Sequence, residues 1–203
     1  MRLELEQFCA VNSLDREQFN DLLSRNGINE DDVLVIDFAQ FMPAHQKFFS
    51  PYIDPPTYLR QVNNFIKKNQ NIYMPKYMIF FHSTARILKD KILSEGLLPT
   101  SNKRRRSYQS TNGYVCLAAN REKAETFGKM ANGYDTCTFA VLVKTTDIRM
   151  DMDQLRNKKS AQWGYEEEIK ETLADSIWYG GGVRVKGMIQ PYQLVLLKET
   201  IFE

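Results

Sequence analysis

The residues of this chain with the most evident chemistry are a histidine and two hydroxyl side chains. His82, Ser83 and Thr84 follow the apolar run 77–81, which is short and aromatic, as expected of a central strand. An imidazole and two hydroxyls can each donate and accept hydrogen bonds, so side by side they could hold a polar ligand. The alternative is a structural histidine that is hydrogen-bonded within the core. The hydroxyl pair and the helical pattern that follows favour the site.

A basic loop is the second feature with chemical potential. The segment 99–113 is rich in Ser, Asn, Arg and Lys and contains Lys103, Arg104, Arg105 and Arg106. Loops of this length inside a compact domain are usually functional or disordered. Four adjacent cations could contact the phosphates of a nucleic acid, and the alternative is a solvated basic loop.

The third feature is an acidic run, Glu166, Glu167 and Glu168, which is the only acidic cluster in the last third of the chain. Its carboxylates could act in catalysis, and the alternative is an exposed helix face. Cys116 and Cys137 are predicted to pack as small apolar side chains, because no basic neighbour in the sequence would activate a thiolate.

The composition predicts a globular protein without a metal site or a membrane span. The chain has 203 residues, 43% of them hydrophobic, and no apolar run approaches the roughly 20 residues that cross a bilayer. Three cysteines and two histidines fit neither a disulfide framework nor a zinc site, so the cytoplasm is the expected compartment. The motifs of P-loop ATPases, Rossmann enzymes, serine hydrolases and zinc proteases are absent, which argues against those classes.

Two regions with different patterns would position these residues. Residues 1–75 are predicted to form a mostly helical N-terminal extension, with a first helix capped by Ser13, a strand over 33–38 and a helix over 57–68. Residues 76–203 then alternate between strands and helices, which predicts a second domain that carries the site.

Within the second region the apolar pattern predicts strands over 77–81, 114–118 and 136–144. A helix capped by Asn120 should lie between the last two strands and end at Asn132-Gly133. Another helix, over 85–95, should end at Gly96 and present an apolar face made of Ile87, Leu88, Ile92 and Leu93.

The order of these motifs resembles the ADP-ribosyltransferase superfamily over about residues 77–198. The resemblance is carried by Phe81-His82-Ser83-Thr84, by a helix ending in Glu95-Gly96-Leu97-Leu98-Pro99, and by Gly113-Tyr114-Val115-Cys116-Leu117. It implies an α+β fold with split mixed or antiparallel β-sheets and flanking helices. The segment 182–191 also resembles the end of the related RNA 2′-phosphotransferases.

The resemblance implies NAD as co-substrate. His82 would hold the adenosine-side ribose with help from Ser83 or Thr84, and the remaining residues of the donor site would be Gly113, Tyr114 and Arg106. Tyr114 would stack on the nicotinamide.

A carboxylate is needed because cleavage of the nicotinamide bond develops positive charge on the ribose. Glu168 and Glu166 are the candidates, because Gly180, Gly181 and Gly182 occupy the expected place before the last strands. Gln190 is a second candidate.

The expected function is therefore an NAD-dependent ADP-ribosyltransferase that modifies a nucleic acid or a protein, in the context of a bacterial toxin or effector acting in the cytoplasm. Lys103, Arg104 and Arg105 would contact a nucleic-acid acceptor. Two alternatives stay open: an enzyme like the RNA 2′-phosphotransferases, and a catalytically inert module that keeps the fold and binds RNA or a protein.

Overall fold

The structure is a computed structural model that describes residues 2–34, 77–99, 112–160, 173 and 176–198. Several predicted features lie outside these residues. They are the predicted strand beyond Leu34, the helix over 57–68, the basic cluster Lys103 to Arg106, and the glutamates Glu166 to Glu168.

Two helices open the chain, α1 (Arg2–Val11) and α2 (Arg16–Arg25). The cap of α2 is Asp15, whose Oδ1 accepts a hydrogen bond from the Gln18 N–H at 2.7 Å. The prediction that Ser13 caps this helix is wrong. Ser13 has a φ of 50° and lies in the tight turn between the helices. Asp15 has the extended backbone of a cap residue, so its side chain reaches the N–H groups of the first turn of α2.

Within the described residues the strands form one sheet. They are β1 (Val33–Leu34), β2 (Tyr77–Ala85), β3 (Tyr114–Ala118), β4 (Thr136–Lys144), β5 (Ile148–Met150), β6 (Gly182–Lys186) and β7 (Leu194–Leu196). Six of them run antiparallel in the order β5-β6-β3-β2-β4-β7, and β1 pairs in parallel with the start of β2. The mixture of helices with an antiparallel sheet confirms the predicted α+β class.

β2 is four residues longer than its apolar run predicts. It pairs with β4 over its whole length, from Tyr77 opposite Lys144 to Ala85 opposite Thr136. His82, Ser83 and Thr84 therefore lie inside the strand and not behind it. The ladder to β4 extends the strand because it satisfies the backbone of these polar residues.

The sheet opens between β2 and β3. In the described part of the chain these two strands share a single ladder pair, Phe81 with Ala118. β3 then continues towards Tyr114 paired only with β6, while β2 continues towards Ala85 paired only with β4. We call the gap between residues 82–85 and 114–117 the wedge.

Each face of the sheet carries its own apolar core. The first face includes Phe80, Leu117 and Phe139, covered by side chains such as Ile92 and Ile189. The second face is packed by the N-terminal helices, and its core includes Phe8, Phe19, Leu22, Ile79, Phe81 and Ala140. The alternation of side chains along each strand separates the two sets.

Helix α2 also protects the outer edge of the sheet. Gln18 Nε2 donates to the Leu196 carbonyl at 2.7 Å, and Arg25 Nη2 donates to the Leu194 carbonyl at 3.2 Å. These bonds occupy carbonyl groups of the edge strand β7. The described part of residues 1–75 is thus attached to the sheet, and the division into two domains stays a prediction.

Three further helices follow, α3 (Lys89–Glu95), α4 (Arg121–Asn132) and α5 (Met152–Ser160). The caps of α4 are as predicted, since Asn120 Oδ1 accepts from the Lys123 N–H at 2.8 Å and Gly133 ends the helix with a φ of 83°. No helix within the described ranges is long and apolar enough to cross a membrane.

The predicted apolar face of the helix over 85–95 is partly wrong. Residues Arg86–Leu88 form a 3₁₀ turn, and α3 begins only at Lys89. Because a 3₁₀ turn has three residues per turn, Ile87 falls outside the stripe that a continuous α-helix would make. Ile92 is buried, whereas Ile87 is 89% exposed.

Candidate functional site

His82 bridges the two strands at the narrow end of the wedge. Its Nδ1 lies 3.0 Å from the carbonyl oxygen of Cys116 on β3. A carbonyl can only accept, so Nδ1 carries a proton in this contact. The bond fixes the tautomer and the tilt of the half-buried ring, and it makes Nε2 the acceptor of the neutral imidazole.

The two hydroxyl residues lie on opposite faces of β2, so only Thr84 shares a face with His82. Ser83 points to the second face, where α4 covers it so closely that a Cβ at Gly128 would lie 2.7 Å from the Ser83 Cβ. The Ser83 hydroxyl is buried and has no hydrogen-bond partner among the described residues. Thr84 is buried on the first face of the sheet, where it lies across from Cys137 of β4. The alternation of side chains along β2 is the reason.

Tyr114 lies at the wide end of the wedge and is stacked by an arginine. The Arg184 guanidinium carbon is 4.4 Å from the centre of the Tyr114 ring. The Arg184 side chain is only 14% exposed, and its Nη1 is 4.0 Å from Asp153 Oδ2. Nε and Nη1 of Arg184 have no hydrogen-bond partner among the residues that the structure describes. One face of Tyr114 is therefore occupied, and a nicotinamide ring would have to take the other face.

Two carboxylates beside this pair, Asp151 and Asp153, were missed by the sequence analysis. Asp151 is 4% exposed, and its Oδ1 accepts from the Gln154 N–H at 3.2 Å at the start of α5. Its own N–H donates to Ser176 Oγ at 2.7 Å, and this hydroxyl donates to the Gly182 carbonyl at 2.7 Å. The available signal was an aspartate directly before a helix, which is a typical cap.

The surroundings of Asp151 and Cys116 disfavour charge. Burial is the main cause that raises the pKa of Asp151. Burial, followed by the charges of Asp151 and Asp153, raises the pKa of the Cys116 thiol to about 12. Burial likewise raises the pKa of Cys9 to about 11. The thiols of Cys9 and Cys116 are neutral near pH 7, as expected of packing residues.

Gly182, the last of the three glycines at the place where the resemblance expects a carboxylate, has no room for a side chain. Gly182 pairs with Ala118, next to the narrow end of the wedge. A Cβ on Gly182 would collide with the Leu117 carbonyl oxygen and lie 3.3 Å from the Leu117 carbonyl carbon. A carboxylate in this role would have to come from another segment, and Glu166 and Glu168 lie outside the described residues.

The basic loop begins and ends on the same turn after β6. Before the loop, Leu97 exchanges backbone hydrogen bonds with Ile189 at 2.9 and 3.0 Å. After it, the Gly113 carbonyl accepts from the Gly187 N–H at 2.9 Å, with Gly113 at a φ of 83°. Because Gly113 precedes Tyr114, the loop that carries Lys103 to Arg106 returns at the wide end of the wedge.

Gln190 belongs to a different part of the fold. It lies after β6, in the turn that leads into β7, and its N–H donates to Gln193 Oε1 at 3.0 Å. In the described ranges no three histidine, cysteine, aspartate or glutamate side chains are grouped so that they could hold a metal ion. Comparison of the sequence with protein-family models gives no match, and comparison with curated proteins gives none either.

Proposed function

We propose that this chain is an NAD-dependent ADP-ribosyltransferase, with NAD as co-substrate and a nucleic acid or a protein as acceptor. The observation that carries the proposal is the position of His82, whose ring lies where β2 and β3 separate and is fixed by the Cys116 carbonyl. An opening between two strands with an oriented imidazole at its narrow end suits a ligand with hydroxyl groups. The opened sheet also agrees with the split sheet that the family resemblance implies.

The chain's own residues would act as follows. The His82 ring would accept at Nε2 a hydrogen bond donated by a ribose hydroxyl and thereby hold the sugar at the narrow end of the wedge. Tyr114 would stack on the nicotinamide at the wide end, on the side of its ring away from Arg184. Glu168 or Glu166 would stabilise the positive charge that develops on the ribose as the nicotinamide bond breaks.

Incubation of the purified chain with NAD labelled in the adenylate, with single-stranded oligonucleotides or a protein lysate as acceptor, tests the proposal. We expect label transfer by the unchanged chain and at least a hundredfold loss in His82→Ala, because the ribose is no longer oriented. Glu168→Gln or Glu166→Gln should lose transfer but keep NAD binding. His45→Ala, which changes the only other histidine, is the matched control.

Full transfer by a folded His82→Ala variant would refute the proposal. Failure of the unchanged chain to bind NAD would refute it as well, and would favour the inert module. Thermal unfolding of each variant shows whether a loss of transfer has a structural cause.

One observation favours the second candidate, an enzyme like the RNA 2′-phosphotransferases. Arg184 is largely buried, and its Nε and Nη1 have no hydrogen-bond partner among the described residues, which suits a phosphate ligand. Gly182 leaves no carboxylate at the neighbouring strand position. An RNA oligonucleotide with one internal 2′-phosphate is the test. NAD-dependent loss of that phosphate, abolished in Arg184→Gln, would support this candidate over the first.

A further inference from the structure

The turn between α4 and β4 presents an exposed tyrosine at the edge of the sheet where the wedge opens. Tyr134 is 91% exposed, although tyrosine is a large and largely apolar residue. Its turn adjoins the end of β2, because Thr136 pairs with Ala85. Ala85 is three residues from His82 along the strand, a distance of roughly 10 Å.

Arg86 holds this turn in place. The Arg86 N–H donates to the Asp135 carbonyl at 3.0 Å, and the Thr136 N–H donates to the Tyr134 carbonyl at 3.0 Å. The Arg86 side chain donates from Nε to Asp135 Oδ1 at 2.7 Å and from Nη2 to the Thr136 carbonyl at 3.1 Å. The backbone beneath the exposed ring is thus fixed to the strand that carries His82, so less ordering entropy is lost when the ring binds a ligand.

The surface around this turn carries both an exposed apolar side chain and positive charges. Met130, in the last turn of α4, is 59% exposed, and Lys129 beside it is exposed. Burial raises the pKa of the Cys137 thiol near the start of β4, and the charges of Arg86 and Lys89 oppose that rise. Asp135 is paired with Arg86, and the acidic Asp90 directly follows Lys89 in the sequence.

We propose that this edge binds a single-stranded nucleic acid as the acceptor, with a base stacked on Tyr134 and the backbone phosphates near Lys89 and Lys129. An exposed aromatic ring with flanking cations is the usual means of binding single strands, because every base offers a face for stacking and every phosphate a charge. The positive charge favours a nucleic acid over a protein as the partner. The inference rests on the proposed function only in naming its acceptor.

Fluorescence anisotropy with the full chain tests it, with labelled single-stranded DNA and RNA oligonucleotides of about 16 nucleotides as probes. Tyr134→Ala should weaken binding about tenfold, whereas Tyr134→Phe, which keeps the ring, should leave it nearly unchanged. Comparison of the DNA and RNA probes shows which nucleic acid is preferred. Tyr192→Ala is the matched control, since Tyr192 is 52% exposed but lies in the turn before β7.

Three results would overturn the inference: no binding of either probe, equal binding by Tyr134→Ala, or equal competition by duplex DNA, in which the bases are stacked away. Nicotinamide release from NAD is measured on the same samples. Release without oligonucleotide binding overturns the nucleic-acid surface and leaves the proposed activity intact. Binding that depends on Tyr134 without any reaction of NAD supports the surface and refutes the activity.

Discussion

Replacement of Gly128 by alanine tests the packing of α4 on β2, the strand that carries His82. A Cβ at Gly128 would collide with the Ser83 hydroxyl and lie 2.7 Å from Ser83 Cβ and 3.2 Å from its carbonyl carbon. The methyl group of alanine cannot rotate away from these atoms, and one of them belongs to the Ser83 backbone. The helix must therefore move away from β2 by about 1 Å to restore a normal carbon–carbon separation of about 3.5–4.0 Å.

Two opposing effects decide the sign. Alanine is a better helix former than glycine by about 1 kcal/mol in a helix interior. Overpacking of a close contact costs about 1–3 kcal/mol, and the shift also weakens the packing of the buried Ala124 in the same helix. We expect a net loss of about 1–2 kcal/mol in the free energy of unfolding, which lowers the Tm of a chain of this size by about 2–8 °C.

Thermal and urea unfolding of three variants would measure this. Thr126→Ala, on the exposed side of the same helix, keeps the gain in propensity without touching Ser83 and should not destabilise. The double variant Gly128→Ala with Ser83→Gly should be more stable than the sum of the single changes predicts, because the obstacle is removed. A Gly128→Ala chain as stable as the original would refute the packing argument.

Three further predictions concern stability. Asp15→Ala should cost about 1 kcal/mol in urea unfolding through loss of the α2 cap, and Ser13→Ala should cost less, so equal losses would contradict the assignment of the cap. Gly96→Ala should lower the Tm more than Gly27→Ala does. Both glycines have a positive φ, but of the two only Gly96 would bring a Cβ against a backbone carbonyl, that of Ile189. The Cys116 pKa of about 12 in the folded chain, against 9.0 for a free thiol, means that only the unfolded chain loses this proton just above pH 9. Stability should be unaffected by this thiol below pH 9 and fall as pH rises from there towards 12, and a Cys116→Ala chain with the same alkaline slope would count against it.

Local signals in the sequence predicted the elements whose ends depend on neighbouring residues. The strands over 114–118 and 136–144 are confirmed, because a run of apolar residues is buried in the core whichever strands it pairs with. The cap Asn120 and the helix end at Gly96 are confirmed for a similar reason, since a side-chain cap or a positive φ acts within one turn.

Elements that depend on a distant partner were harder to predict. The polar end of β2 looks like a loop in the sequence and is a strand only because β4 supplies its backbone partners. Ile87 looked buried because its neighbours suggested one continuous helix, and a 3₁₀ turn displaced it.

The sequence by itself determined the α+β class, most of the element boundaries after residue 76, and His82 as the residue to examine. Only the tertiary structure decided what accompanies His82: the Cys116 carbonyl on its ring, the placement of Ser83 under α4, and Arg184 on the face of Tyr114. The reason is physical. Burial and capping are encoded within a few residues, whereas the opening between two strands arises from ladder pairs between segments more than 30 residues apart.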